Sequence, residues 1–96
     1  MELLQNETDG KGKFYFTHEH KEVASIYYIK RSPGILVILH TEVDKEMQGK
    51  NLGKQLVEAV ADYARKQKMK IIPECTYAKA VFSRNETAYA DIWEKE

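Results

Sequence analysis

The sequence predicts an α/β (α+β) domain: a mixed, mostly antiparallel sheet with one parallel βαβ crossover. Three observations carry that prediction. Two segments rich in β-branched and aromatic residues, at 13–17 and 23–30, flank a short polar turn. An aliphatic run, Ile35-Leu36-Val37-Ile38-Leu39, shows no alternation of polar and apolar residues. From Leu52 the apolar period becomes helical, and a further β-rich segment opens at Ile71.

The elements follow in order. Gly10-Lys11-Gly12 is a flexible entry to the strand Lys13-Phe14-Tyr15-Phe16-Thr17, which places Phe14 and Phe16 on one face. Glu19, His20, Lys21 and Glu22 make the hairpin turn into residues 23–30, and Ser32-Pro33-Gly34 makes the next turn. Residues 35–43 form a strand whose aliphatic start belongs inside the sheet, buried on both faces. Leu52, Leu56, Ala59, Val60, Tyr63 and Ala64 recur at helical spacing, with Lys54, Glu58, Asp62, Arg65 and Lys66 mostly outward, so a helix runs from 52 to about 68. Ile71-Ile72-Pro73-Glu74-Cys75-Thr76-Tyr77 is expected as the next strand. Pro73 has no N–H to donate, so it belongs at an edge, a bulge or a place where pairing stops. The connection has the length of a right-handed crossover. Two short helical pieces end the chain, with Val81 and Phe82 on one and Tyr89, Ile92 and Trp93 closing the core from the other.

Composition narrows the function. The 96 residues are the size of a single domain, residues 1–96, and carry 15 basic and 15 acidic side chains. Zero net charge argues against a nucleic-acid binder, which presents a basic face. The aliphatic run falls far short of the roughly 20 residues that span a bilayer, so no membrane partner is expected. The acidic start, Met1-Glu2-Leu3-Leu4-Gln5-Asn6-Glu7, lacks the pattern of a secretory leader, and the single cysteine, Cys75, forms no internal disulfide. Both point to the cytoplasm. His18 and His20 have no third ligand in view, so no metal is expected.

The zero hides a local cluster. Glu46-Met47-Gln48-Gly49-Lys50-Asn51-Leu52-Gly53-Lys54 is a glycine-bearing turn that opens a helix, where unpaired N–H groups and the helix dipole favour an anion. Gly49 and Gly53 would let a phosphate approach the backbone, and Lys45, Lys50 and Lys54 add positive charge. An ordinary loop with a solvated basic rim is the plainer alternative.

This loop resembles the acetyl-CoA pyrophosphate loop of the GNAT N-acetyltransferase superfamily, whose pattern is Gln or Arg, two residues, Gly, one residue, then Gly or Ala. Here it reads Gln48-Gly49-Lys50-Asn51-Leu52-Gly53, with Asn51 where the middle glycine is expected. His40-Thr41-Glu42-Val43 before it and Ile72-Pro73-Glu74-Cys75-Thr76-Tyr77-Ala78 after it are similar to a short, single-domain GNAT branch. That branch has a cysteine at a strand end and a Tyr-x-Asp tail, matched by Tyr89-Ala90-Asp91. Arg84-Asn85-Glu86-Thr87-Ala88-Tyr89 lacks the proline usual in that tail and is one residue longer. The match covers residues 35–91 well and the two N-terminal strands loosely. Asn51 has two readings: a stand-in for glycine in the left-handed backbone, or an N-cap whose side chain occupies an N–H that a phosphate would use.

The resemblance implies a minimal GNAT-like domain that binds acetyl-CoA as co-substrate and acetylates an amine, on a small molecule or a peptide. Thr41, Glu42 and Val43 would meet the pantetheine arm, and Gln48, Gly49, Lys50, Asn51, Leu52, Gly53 and Lys54 the pyrophosphate. Catalytic candidates are Cys75, His40 and Tyr77. Cys75 could carry the acetyl group, with His40 on the adjacent strand favouring its thiolate; packing as a small hydrophobe is the other reading. Tyr77, two residues on, would share the face of Cys75 on a regular strand and protonate the leaving thiolate. Glu42 and Glu74 are candidate bases. The chain is short for a full acceptor site, so a CoA-binding or protein-interaction module without efficient transfer is the alternative. Oligomeric state is open.

Overall fold

The computed structural model describes residues 1–95. Five strands, β1 (Glu2–Thr8), β2 (Lys11–His18), β3 (Lys21–Ser32), β4 (Ile35–Val43) and β5 (Lys70–Pro73), form one sheet in sequence order. The first four are antiparallel neighbours, while β5 runs parallel to β4. Three helices follow the meander: α1 (Leu52–Gln67), which is the crossover from β4 to β5, then α2 (Thr76–Arg84) and α3 (Glu86–Tyr89). The mixed, mostly antiparallel sheet and the parallel crossover are those expected.

Tight turns account for the meander. Asp9-Gly10 and Glu19-His20 each join two strands with both residues at positive φ, the backbone that matches strand twist in a two-residue hairpin. The first turn adds a strand the sequence reading did not expect. β1 carries Glu2, Gln5, Asn6 and Glu7 and has little apolar alternation to reveal it. It is held instead by ladder pairing to β2 and by a polar cluster. Tyr28 and Tyr63 both donate to Glu7 Oε1, at 2.6 and 2.8 Å, and Lys30 Nζ lies 3.0 Å from Oε2.

One face of the sheet packs on the helices. Phe14, Phe16, Ile26, Tyr28, Leu36 and Ile38 meet Leu56, Val57, Val60, Ala61 and Ala64 of α1 in a single cluster. The C-terminal segment closes it. Phe82 stacks on Tyr89 at 4.5 Å between ring centroids and takes the edge of Trp93 at 5.4 Å. Arg65 ties the tail to α1 through Asp91, at 2.8 Å, and the Ala88 carbonyl, also at 2.8 Å. Among the described residues no helix is long and apolar enough to cross a membrane.

Two elements depart from expectation. β5 ends at Pro73 rather than continuing to Tyr77, because Pro73 makes the last pair with β4. The N–H groups of Glu74 and Cys75 then both turn onto the Ile38 carbonyl, at 3.0 and 3.1 Å, and Thr76 starts a helix. In β4 the buried run stops at Ile38. Tyr27 pairs with His40 and Tyr28 with Ile38, so Leu39 is the extra residue of a bulge and is 43% exposed.

Candidate active site

The bulge and the early end of β5 together open the sheet. Residues 39–43 of β4 run on beyond the last pair with β5, and they keep β3 on their other side. This leaves a split whose rim is β4 backbone and whose base is the turn at Cys75. Thr41, Glu42 and Val43 lie on that free edge, as a main-chain contact to an extended ligand requires.

Cys75 is half-buried at the N-cap of α2. Its Sγ lies 3.4 Å from Thr41 Oγ1 on the helix-covered side of the sheet. The first bond inside α2 is from Lys79 to the Cys75 carbonyl, so the N–H groups of Thr76, Tyr77 and Ala78 have no partner within the helix. Cys75 thus stands at the start of α2, where those N–H groups are free of helix partners.

His40 is not part of that arrangement. Alternation past the bulge turns it to the opposite face of the sheet, where its ring stacks on Tyr27 and its Nε2 lies 2.8 Å from Glu42 Oε2. The expected approach of His40 to Cys75 fails because the bulge at Leu39 turns His40 to that opposite face. Thr41 takes the place beside the thiol.

Tyr77 likewise lies elsewhere than expected. It is on the first turn of α2, and its ring rests against the first turn of α1. A Cβ added to Gly53 would fall 2.7 Å from the Tyr77 hydroxyl oxygen and 2.8 Å from Cζ. Gly53 is thus the glycine that admits Tyr77, whereas a Cβ added to Gly49 would meet nothing within 4 Å.

The loop before α1 fits a pyrophosphate on three counts. Asn51 adopts the left-handed backbone, φ 63°, and its side chain makes no cap hydrogen bond. The glycine-substitute reading of Asn51 is therefore the one the geometry supports, and the first helical N–H groups stay available. Gly49, at φ 88°, adds a second left-handed residue to the turn. Finally, the acids of this region have a cationic partner outside the loop: Lys21 Nζ sits 3.4 Å from Asp44 and 3.6 Å from Glu46. Lys50 remains exposed and Lys54 half-exposed. Buried Met47 anchors the loop, while Leu52 points into the core and offers the site only its backbone.

The sequence model of the GCN5-related N-acetyl-transferase family matches residues 13–92. The chain belongs to that family. Membership makes acetyl-CoA the co-substrate and acyl transfer the reaction. A GCN5-like protein from Staphylococcus aureus is 32% identical to this GNAT chain, over 98% of it and 90% of the other, with a TM-score of 0.74. The ribosomal-protein-S18-alanine N-acetyltransferase of Escherichia coli superposes with a TM-score of 0.68 at 18% identity, over 81% of this chain and 53% of its own. An aminoglycoside 6′-N-acetyltransferase complexed with coenzyme A gives 0.61 at 12% identity, over 68% of this chain and 37% of its own. These last two show a common fold, and this GNAT chain spans about half of their length or less. No curated protein matches it.

Proposed function

We propose that this GNAT domain moves an acetyl group from acetyl-CoA to a primary amine by way of Cys75. The observation that carries the reading is the meeting of two helix starts at the split. The first turn of α1 follows the loop of Gln48, Gly49, Lys50 and Asn51, the first turn of α2 faces Cys75, and Tyr77 touches Gly53 between them. One end suits a pyrophosphate and the other a thiolate.

When bound, acetyl-CoA supplies an activated thioester carbonyl. The Lys50 and Lys54 ammonium groups and the orphan N–H groups of α1 would hold its phosphates, and the free edge at Thr41, Glu42 and Val43 its arm. The Cys75 thiolate adds to the carbonyl carbon as the bond to the departing sulfur breaks, giving acetyl-Cys75. Tyr77, 40% exposed at the start of α2, is the proposed donor of a proton to that departing sulfur. A neutral amine then attacks acetyl-Cys75; the C–N bond forms, the C–S bond breaks, the Cys75 thiolate is restored and the proton shed by the nitrogen returns to the Tyr77 phenolate.

Release of CoA thiol tests the reading. The wild type should release thiol in the presence of a primary amine, and Cys75→Ala should lose about a hundredfold or more, in the range of removing an activating group. Lys50→Glu should raise the Kd for acetyl-CoA about tenfold, the effect of about 1.4 kcal/mol. Undiminished turnover in Cys75→Ala would leave direct transfer from the thioester, and unchanged affinity in Lys50→Glu would place the phosphates elsewhere.

A further inference from the structure

The residues of β4 that face the helices form a short series, Leu36, Ile38, Thr41 and Val43. Leu36 and Ile38 belong to the core cluster, and Val43 packs against it. Thr41 pairs across the ladder with Ile26, which is fully buried. An aliphatic side chain would suit this place, as at the other three positions. Thr41 is the polar exception in the series, and its Oγ1 lies 3.4 Å from Cys75 Sγ.

Backbone fixes both ends of that contact. The extra residue Leu39 shifts the alternation of β4, so that residue 41 rather than residue 40 turns inward. On the other side, the Cys75 N–H donates to the Ile38 carbonyl at 3.1 Å, which holds the cysteine against β4. Both side chains are half-buried. The titratable neighbours of Thr41 in sequence lie on the opposite face, where His40 Nε2 is 2.8 Å from Glu42 Oε2. What β4 sets against the sulfur is therefore a neutral hydroxyl.

A hydroxyl can serve a thiol in both of its states, accepting from S–H and donating to the thiolate. Donation to the charged atom is the stronger of the two. We propose that Thr41 is a positioning residue for acyl transfer, one that aims Cys75 Sγ and holds its thiolate; the inference rests on the acetyl-Cys75 reading above. As the thiol ionises, the S–H bond breaks and the proton passes to water. The Thr41 O–H then turns to donate to sulfur, and Thr41 itself neither gains nor loses a proton. Addition of sulfur to the acyl carbon releases this hydrogen bond. It forms again when an amine takes the acetyl group and the electron pair of the C–S bond returns to sulfur. The same hydroxyl thus raises the thiolate fraction before addition and stabilises sulfur as the leaving atom afterwards.

The test follows the rate of acetyl adduct formation by rapid-quench intact-mass measurement in the wild type, Thr41→Val, Thr41→Ala and Thr41→Ser. Calorimetry gives the acetyl-CoA affinity of each. Thr41→Val and Thr41→Ala should acetylate at least about tenfold more slowly, in the range of losing a hydrogen bond to a charged atom. Thr41→Ser, which keeps the hydroxyl, should recover most of the rate. Affinity for acetyl-CoA should hold in all of them, because β4 offers that ligand its main chain. Thr41→Val should melt no lower than the wild type, since valine suits a half-buried strand position well. Iodoacetamide should alkylate Cys75 more slowly in Thr41→Val, a reading of the thiolate that needs no acetyl-CoA. Wild-type acetylation rates in Thr41→Val, or a Thr41→Ser protein as slow as Thr41→Val, would overturn the role of Thr41 and leave acetyl-Cys75 standing. A wild type that acetylates amines without forming the adduct would overturn the reading beneath and this inference with it.

Discussion

Tyr77 and Gly53 belong to different helices, yet the phenol ring of one fills the space where the other would carry a Cβ, at 2.7 Å from the hydroxyl oxygen. This contact brings the first turns of α1 and α2 together. The loop before α1 and Cys75 before α2 are linked through it.

That contact predicts an unusual pattern for Gly53→Ala. Alanine is better than glycine within a helix by about 1 kcal/mol. Displacing a half-exposed ring costs a similar amount, at the low end of the overpacking range of about 1–3 kcal/mol. Thermal stability should hardly change while acetyl transfer falls, because Tyr77 has moved. In a Tyr77→Ala background the same substitution should stabilise by about 1 kcal/mol. Denaturant melts of the four proteins check this cycle, and a strongly destabilised Gly53→Ala single variant would show that the ring cannot yield.

Asn51 separates backbone conformation from capping. Its left-handed φ of 63° predicts that Asn51→Gly keeps stability within a few tenths of a kcal/mol, whereas Asn51→Val costs about 1–2 kcal/mol. Since the side chain makes no cap bond, Asn51→Gly should bind acetyl-CoA at least as tightly as the wild type. Calorimetry on that variant decides the matter; weaker binding would mean that the amide itself touches the ligand.

Glu7 gives the fold an acid-sensitive joint. Burial pushes its carboxyl up, but hydrogen bonds from Tyr28, Tyr63 and Lys30 outweigh burial and hold it below the ordinary value. The Tyr28 hydroxyl is pushed far up, by burial first and then by its bond to Glu7. A carboxyl depressed in the folded state contributes stability above its unfolded pKa, about 4.3, and loses it as pH falls through the folded value. Glu7→Gln should therefore cost about 1–3 kcal/mol at pH 7. The gap to the wild type should close below about pH 4. Urea melts from pH 7 down to 3 would show it, and a gap that stays constant would remove Glu7 from the account.

Most of the fold was legible because burial writes a period into the chain. The aliphatic start of β4 and the helical stripe from Leu52 both located elements whose cores are Leu36, Val37, Ile38, Leu56, Val60 and Ala64. β1 was not legible, since it is held by Glu7 and ladder pairing rather than by an apolar face; the Asp9-Gly10 dipeptide was the available signal. The end of β5 was announced by Pro73, but the switch to helix needed the Ile38 carbonyl to receive two N–H groups, which no local pattern encodes. For the site, the loop from Gln48 to Lys54 could be read directly. The partners of Cys75 could not, because the bulge at Leu39 moves His40 to the other face and sets Thr41 beside the thiol.

Cys75 is proposed to carry the acetyl group at the base of the split. Intact-mass measurement of the protein after brief mixing with acetyl-CoA, with acceptor amine withheld, tests it most directly. The wild type should show a single acetyl adduct, absent from Cys75→Ala and discharged when an amine is added. An unmodified wild type that nevertheless acetylates amines, or an adduct that persists in Cys75→Ala, would contradict it.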